Sequence, residues 1–221
     1  MWIYLTNRDC LTPVRGMVKH LQICEEVDEI VIVDCGSTNP ELLDWYESCP
    51  AKVIRCENLG PYAPWHVMRD SEEYYAVSDA DLDISNIPID FLTKLRRGME
   101  DHPGIIKAGL SLAIDDLPMD FPFRDDVIRH ESQFWTQQID PHWYSAAIDT
   151  TFAVYRERSW QGYAPSLRSA PPYMARHIPW YLSEKTLSDE WLWYFQRCEN
   201  VTHWSSLFRR MLPSNATDVK S

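Results

Sequence analysis

No apolar run approaches the roughly 18 residues that a membrane-spanning helix needs, so a transmembrane segment is not expected. The opening stretch, Met1-Trp2-Ile3-Tyr4-Leu5-Thr6-Asn7-Arg8, lacks a basic n-region and a long apolar h-region, so no signal peptide is expected either. No C-x-x-C pair occurs among the six cysteines, and five of them sit in apolar or strand-like surroundings. They read as reduced thiols of a cytosolic protein, buried as small hydrophobes. The two N-x-T sequons, at Asn200 and Asn215, carry little weight without a secretory signal. Basic residues are scarce: 21 Lys and Arg against 33 Asp and Glu leave a net charge of −12, which disfavours nucleic acid as a partner. The same balance suits an enzyme that meets phosphates through a cation. There is no internal repeat and no low-complexity tract.

What is present is a chain of 221 residues, enough for one large α/β domain or two small ones. Aromatics are abundant, with ten Trp, eleven Tyr and seven Phe. Most belong in a thick core, although flat side chains also stack on bases and sugar rings.

The first 83 residues alternate. Trp2 to Leu5 is a short apolar strand, and Thr12-Pro13 reads as a cap and first turn of an amphipathic helix running to about Glu25. Glu29 to Val33 is a nearly continuous Ile/Val strand, of the kind buried on both faces of a parallel sheet. Asn39-Pro40 starts a second helix, Lys52 to Cys56 is a third strand, and a helix or turn containing residues 65–69 precedes a fourth strand at Tyr74 to Val77. Such alternation implies a parallel sheet with right-handed crossovers. Farther on, Phe91 to Met99 and Arg124 to Gln138 read as helices. Gly104 to Ala113 and Ala146 to Tyr155 read as strands. Gly162 to Trp180, with four prolines, reads as an ordered loop, and Ser188-Asp189-Glu190 starts a last helix. Leu212 to Ser221 reads as a frayed tail.

The fourth strand ends in Asp79-Ala80-Asp81. Two carboxylates one residue apart at the end of a buried strand repel each other, and a hard divalent cation removes that cost. A solvated turn is the bland alternative, since Asp is common in turns. Position favours the ligand reading. In open α/β sheets ligands bind beyond the carboxyl ends of the strands, and Thr6-Asn7-Arg8-Asp9, Asp34-Cys35-Gly36-Ser37 and Asp79-Ala80-Asp81 all fall at such ends.

Strand-Asp34-Cys35-Gly36-Ser37-Thr38, followed some 40 residues later by strand-Asp79-Ala80-Asp81, resembles the nucleotide-sugar-binding half of GT-A fold glycosyltransferases. Cys35 stands where that superfamily more often has Asn or Asp. The stretches Ile114-Asp115-Asp116-Leu117-Pro118, Ile148-Asp149-Thr150-Thr151-Phe152 and Arg176-His177-Ile178-Pro179-Trp180-Tyr181 are similar to compact viral and bacterial members, including glycosyltransferase domains of large algal viruses. The Gln-x-x-Arg-Trp signature of processive synthases is absent. The resemblance implies a single α/β domain with a mostly parallel central sheet and flanking helices. Residues 1–83 would form the nucleotide-sugar half and residues 84–210 the acceptor side, before the tail at 211–221. It also implies a UDP-sugar or related donor, Mn²⁺ or Mg²⁺, and transfer to a hydroxyl of a glycan or glycoconjugate. Thr6 and Arg8 match the nucleotide-contacting loop after the first strand. Asp34 matches the acid that holds base or ribose, and Asn58 and Gly60 match the third-strand loop. Asp79 matches the first acid of the Asp-x-Asp, and Asp81 the direct metal ligand.

Departure of the diphosphate calls for a cation with a cationic or imidazole group beside it, and we assign Asp81, with Asp79, and His177, with His203 as the competing imidazole. Arg168 and Arg176 could also face the diphosphate, although ion pairs elsewhere would explain them equally well. An inverting transfer needs a base, assigned to Asp149 with Asp116 as the second choice. A bulge or edge position bonded to backbone would also explain an Asp inside an apolar strand. Trp135, Trp143, Tyr144 and Trp180 could stack on acceptor sugars or simply pack. Three other classes use similar parts. A haloacid-dehalogenase phosphatase would want Thr or Val where Asp83 stands. A sugar nucleotidyltransferase would show a Gly-rich loop and Lys near the N-terminus. A non-catalytic nucleotide-sugar-binding module would bind without transfer.

Overall fold

The computed structural model describes residues 1–68, 73–156, 165–183 and 185–197. Its N-terminal half builds the expected alternation. β1 (Trp2–Asn7) leads to α1 (Leu11–Leu21), β2 (Glu29–Cys35), α2 (Pro40–Tyr46) and β3 (Lys52–Cys56). A 3-10 turn at Gly60–Tyr62 then leads to α3 (Ala63–Val67) and β4 (Tyr75–Asp79). Asn39 caps α2 as its sequence suggests: its side-chain oxygen accepts from the amides of Glu41 and Leu42 at 3.0 and 3.3 Å. At α1 the reading from sequence is displaced. Cys10 is the residue before the helix and makes no side-chain cap, while the amide of Thr12 donates to Glu190 instead.

After β4 come β5 (Leu82–Asp83), α4 (Phe91–Asp101), β6 (Lys107–Gly109), β7 (Ser111–Leu112) and α5 (Arg124–Glu131). A 3-10 turn at Ser132–Trp135 precedes β8 (Gln138–Asp140), β9 (Trp143–Ser145), β10 (Ala153–Tyr155), β11 (Ser166–Ser169) and β12 (Met174–His177). A last 3-10 turn, Ile178–Tyr181, is followed by α6 (Asp189–Arg197).

The fold is mixed α/β. Nine strands form the central sheet in the order β3-β2-β1-β4-β10-β6-β11-β9-β8, and β5-β12-β7 form a small second sheet. The strands β3, β2, β1 and β4 are mutually parallel. Beyond them the sheet is mixed, because β10 enters antiparallel between β4 and β6. Val31, Ile32 and Val33 of β2 are fully buried, as a strand covered on both faces requires. Burying each such side chain is worth about 1.5–3 kcal/mol. On one face Ile3, Leu5, Ile32 and Phe91 join the large core, and on the other Tyr4, Val31, Val33 and Tyr75 form a smaller one.

Four readings from sequence change. Gly104 to Ala113 is two short strands rather than one, since the chain leaves the central sheet at Leu110 to reach the small one. There the amide of Leu110 bonds the carbonyl of Phe152 at 2.9 Å. The expected helix from Arg124 to Gln138 ends at Glu131 and gives way to a 3-10 turn and β8. Only Ala153–Tyr155 of the expected strand at 146–155 is strand. The expected loop at 162–180 contains β11 and β12, because its prolines (165, 171, 172 and 179) flank those strands instead of interrupting them.

Candidate active site

The ends of β1, β2, β3 and β4 lie side by side, so their loops meet on one rim. In the register, Asn7 stands beside Asp34, Thr6 beside Asp79, and Cys35 beside Cys56. The first two loops are stitched by Asp9, a non-glycine residue at φ 55°. Its carboxylate accepts from the amides of Thr38 and Asn39 at 2.6 and 2.7 Å, and its own amide donates to Ser37 Oγ at 2.8 Å. Fixing these bonds is what holds the loop in a left-handed conformation that few side chains adopt. Gly36 and Gly60 adopt positive φ at the next two loops, and Asn58 Oδ1 accepts from the amide of Gly60 at 3.1 Å.

Asp34 is fully buried and its oxygens are already engaged. Ser37 Oγ, the Ser37 amide (3.3 Å) and Tyr46 Oη (3.2 Å) all donate to it, and Arg55 Nε lies 3.5 Å away. The carboxylate therefore shapes the loop of residues 34–37 from within and presents no open oxygen of its own. Thr6 and Arg8 sit at the rim, each half-buried. Thr6 Oγ1 and Arg8 Nε are buried polar atoms with no partner among the described residues, while Arg8 Nη2 donates to the carbonyl of Arg197 at 3.2 Å. The helix α6 thus covers this rim, an arrangement reinforced by Trp193 Nε1 to Thr38 Oγ1 at 3.3 Å.

Asp79 and Asp81 close the rim. β12 pairs with β5 so that His177 stands opposite Leu82, and the carbonyl of Asp81 accepts from the amide of Ile178 at 2.9 Å. This brings the imidazole to the Asp pair: His177 Nε2 is 3.2 Å from Asp81 Oδ2, with side chains 16% and 23% exposed. Burial works against both charges, but each supports the other. The pKa of Asp81 is lowered by His177, and that of His177 is raised by Asp81, Asp79 and Asp149. Asp79 moves the other way. Burial and the neighbouring charge of Asp81 push it well above the ordinary carboxylate range, and a bond from Thr150 only partly offsets them.

Asp149 is not in a strand. It lies exposed in the segment between β9 and β10, and its Oδ1 accepts from the amide of Thr151 at 3.1 Å. Its charge raises the pKa of both Asp79 and His177. Asp116 is engaged by two side chains. Arg176 bonds its Oδ2 at 2.6 Å through Nε and 2.5 Å through Nη2, and Tyr181 Oη bonds its Oδ1 at 2.5 Å. These partners outweigh its partial burial and lower its pKa. Arg176 is thereby committed to Asp116, and Arg168, 2% exposed, to a buried pair with Glu131 at 2.9 Å. Trp143 and Trp180 are buried and belong to the core, whereas Trp135 and Tyr144 are half-buried and meet edge to face at 5.0 Å. His203 and the tail at 211–221 lie outside the described residues.

A divalent cation fits this donor set in part. Asp81 Oδ1 and His177 Nδ1 are buried without a partner among the described residues, an expensive arrangement that a ligand would relieve. Among the described residues, no group of three His, Cys, Asp or Glu side chains forms a ready-made cage. That suits Mg²⁺-like ions, which are commonly held by one or two carboxylates and complete their shell with substrate phosphates and water. Sequence pattern assigns no individual role to Thr150 or to Asp9, although both fall within stretches it singles out. Thr150 follows Asp149 directly, but only the path of the chain over the sheet shows that it reaches Asp79.

No family model matches this sequence, and no curated protein matches it. The solved structures similar to it include glucosyl-3-phosphoglycerate synthase from Mycobacterium tuberculosis in complex with Mn²⁺, UDP and glucosyl-3-phosphoglycerate. That likeness has 16% identity and a TM-score of 0.46, over 70% of this chain and 56% of that one. The same enzyme with Mn²⁺, UDP-glucose and phosphoglyceric acid gives the same values. A mycobacterial protein matches at 13% identity and a TM-score of 0.47, over 76% of this chain and 64% of that one. The chain spans little more than half the length of the synthase. No helix among the described residues is long and apolar enough to cross a membrane.

Proposed function

We propose that this chain is a metal-dependent glycosyltransferase of the GT-A fold, moving a sugar from a nucleotide-sugar, a UDP-sugar first among them, to a hydroxyl. The observation that carries the reading is the orphaned Asp81 Oδ1 beside His177, on a rim where the loops of four parallel strands meet. Asp81, with Asp79 and His177, would hold Mn²⁺ or Mg²⁺. When bound, the ion would neutralise charge gathering on the departing diphosphate. Thr6 Oγ1 and Arg8 Nε, buried and without partners among the described residues, would bond the nucleotide, and Asn58 and Gly60 would form the neighbouring wall. Asp34 contributes by fixing the loop of residues 34–37.

Asp149 is the base. Its exposed carboxylate can take the proton from an acceptor hydroxyl as that oxygen attacks the anomeric carbon, the course of an inverting transfer. Asp116, clamped by Arg176 and Tyr181, is the poorer candidate. We assign the acceptor to a glycan or glycoconjugate and the setting to the cytosol, in keeping with cysteines at 24, 35, 49 and 56 that form no disulfide among the described residues. Residues 1–83 would hold the donor and residues 84–210 the acceptor.

The second reading, a module that binds nucleotide-sugar without transfer, uses the same rim and dispenses with Asp149. A thermal-shift screen of UDP-, GDP-, dTDP- and CMP-sugars with Mn²⁺ identifies the donor, and nucleoside diphosphate release then separates the two readings. Release lost in Asp149→Ala supports transfer, and binding with no release by the wild type supports the module. Stabilisation by none of the four sugars would overturn both.

A further inference from the structure

The segment that carries Asp149 crosses the sheet rather than joining it. It leaves β9 at Ser145, passes over β11 and β6, and enters β10 at Ala153. A chain crossing a sheet face strands its carbonyls, and unpaired buried carbonyls are costly. Here side chains satisfy three of them in succession. Ser166 Oγ donates to the carbonyl of Ala146 at 2.7 Å, Arg168 Nε to that of Ala147 at 2.8 Å, and Lys107 Nζ to that of Ile148 at 2.6 Å.

The three donors share one sheet face. Ser166 stands opposite Lys107 in the register of β11 and β6, and Arg168 is two residues on, opposite Gly109. Gly109 makes the close crossing possible. A Cβ there would stand 2.5 Å from the carbonyl oxygen of Phe152 and 2.9 Å from Ile148 Cδ1. All three donors are buried, Lys107 at 0% exposure, so their bonds are not shared with bulk water. Beyond this comb the segment places Asp149 in the open and Thr150 on Asp79.

We propose that Lys107, together with Arg168 and Ser166, is a positioning residue that holds the arch of residues 146–150 so that Asp149 faces the reacting hydroxyl. The proposal rests on the transferase reading above. Burying an ammonium beside the Ile148 carbonyl and an aromatic ring (Tyr155, 5.5 Å from Nζ) costs more than filling the same core position with an apolar side chain. Leu or Met would fill the same volume without that cost. A side chain that fixes the carbonyl adjacent to the base is accounted for by geometry: rates fall steeply when a reacting group is displaced by about 1 Å.

The test pairs Lys107→Met, which keeps the stem and removes the ammonium, with Asp149→Asn and with the double variant. Three quantities are read: Mn²⁺-dependent UDP-sugar affinity by calorimetry, the rate constant for nucleoside diphosphate release with water as acceptor, and amide hydrogen exchange of peptides spanning 146–152. Ser166→Ala, a smaller change, carries the same measurements should Lys107→Met fail to fold. The expected result is donor affinity within about twofold of wild type, release slowed about tenfold or more, and faster exchange confined to the arch. The double variant should be no more than about twofold slower than Asp149→Asn, since residues that act as a unit are not additive. Unchanged release and exchange in Lys107→Met would overturn the proposal, as would losses that multiply with Asp149→Asn. Absence of metal-dependent donor binding by the wild type would instead overturn the transferase reading and, with it, the base that the arch is proposed to position, whatever the exchange data show.

Discussion

Thr150 grips Asp79 from two directions: its hydroxyl donates to Asp79 Oδ2 at 2.5 Å, and its carbonyl accepts the Asp79 amide at 3.1 Å. The arch between β9 and β10 is therefore fastened to the Asp pair as well as to the sheet beneath it. Replacing Thr150 by Val removes the hydroxyl and keeps the shape. A hydrogen bond is worth about 0.5–1.5 kcal/mol net, so Thr150→Val should lose about that much stability in urea unfolding. A variant as stable as wild type would show that the bond is not formed.

The base assignment makes a separate prediction. Asp149 is exposed, and its one described hydrogen bond is accepted from a backbone amide two residues on. Asp149→Asn keeps an oxygen for that bond, so folding and donor affinity should hardly change. Nucleoside diphosphate release should fall by about a hundredfold or more, within the range usual for loss of a positioned base. Steady-state release measured beside calorimetric affinity checks both halves, and parallel loss of binding would point to a structural role.

Lys107 supplies a pH dependence. Burial pushes its ammonium down to about 8 from the ordinary lysine value of 10.5, with Asp149 resisting and Arg168 adding to the fall. Among the described residues, the groups facing it include the carbonyl of Ile148, the Tyr155 ring, and the charges of Asp149 and Arg168. Between these two values the unfolded chain holds a proton that the folded protein has released. Lys107 therefore contributes stability that rises with pH across that window. Below about pH 8 both states are protonated and the contribution is flat. Urea midpoints of wild type and Lys107→Met at pH 7.5 and 9.5 should diverge, with the wild type gaining on the variant at the higher pH. A constant difference would contradict the assignment.

Glu131 and Arg168 form an ion pair only 5% and 2% exposed, and the guanidinium also stacks 4.1 Å from the centre of the Phe134 ring. Removing one partner strands the other charge, which typically costs about 3–5 kcal/mol. Glu131→Leu alone should approach that loss in urea unfolding. Glu131→Leu combined with Arg168→Met should recover a good part of it, and a double variant as unstable as the sum of the singles would argue against a coupled pair.

The parts of the fold that the sequence displays are those set by local pattern. The Ile/Val run at 30–33 and the Asn39-Pro40 cap give β2 and α2 close to their observed bounds. The rim that gathers Thr6, Arg8, Asp34, Asp79 and Asp81 follows from strand-helix alternation, and Asn58 and Gly60 join it only through the family resemblance. What the pattern could not carry is long-range. The residues around Asp149 are apolar and β-favouring, yet their carbonyls are taken by side chains from strands that lie on both sides of them in sequence. His177 falls among prolines that looked like loop, and its place beside Asp81 depends on β12 pairing with β5 across 90 residues. The family resemblance makes Asp34 the acid that holds base or ribose. Its burial depends on Tyr46 and Ser37 folding back onto it, which no spacing announces.

The most direct test of the account is calorimetric titration of UDP-glucose into the protein with Mn²⁺, then with chelator, for wild type and Asp81→Asn. The account predicts binding by the wild type that chelator abolishes, and no measurable binding by Asp81→Asn although it remains folded. Equal affinity with Mn²⁺ and with chelator would contradict a metal-held donor at Asp81, and so would undiminished binding by the variant.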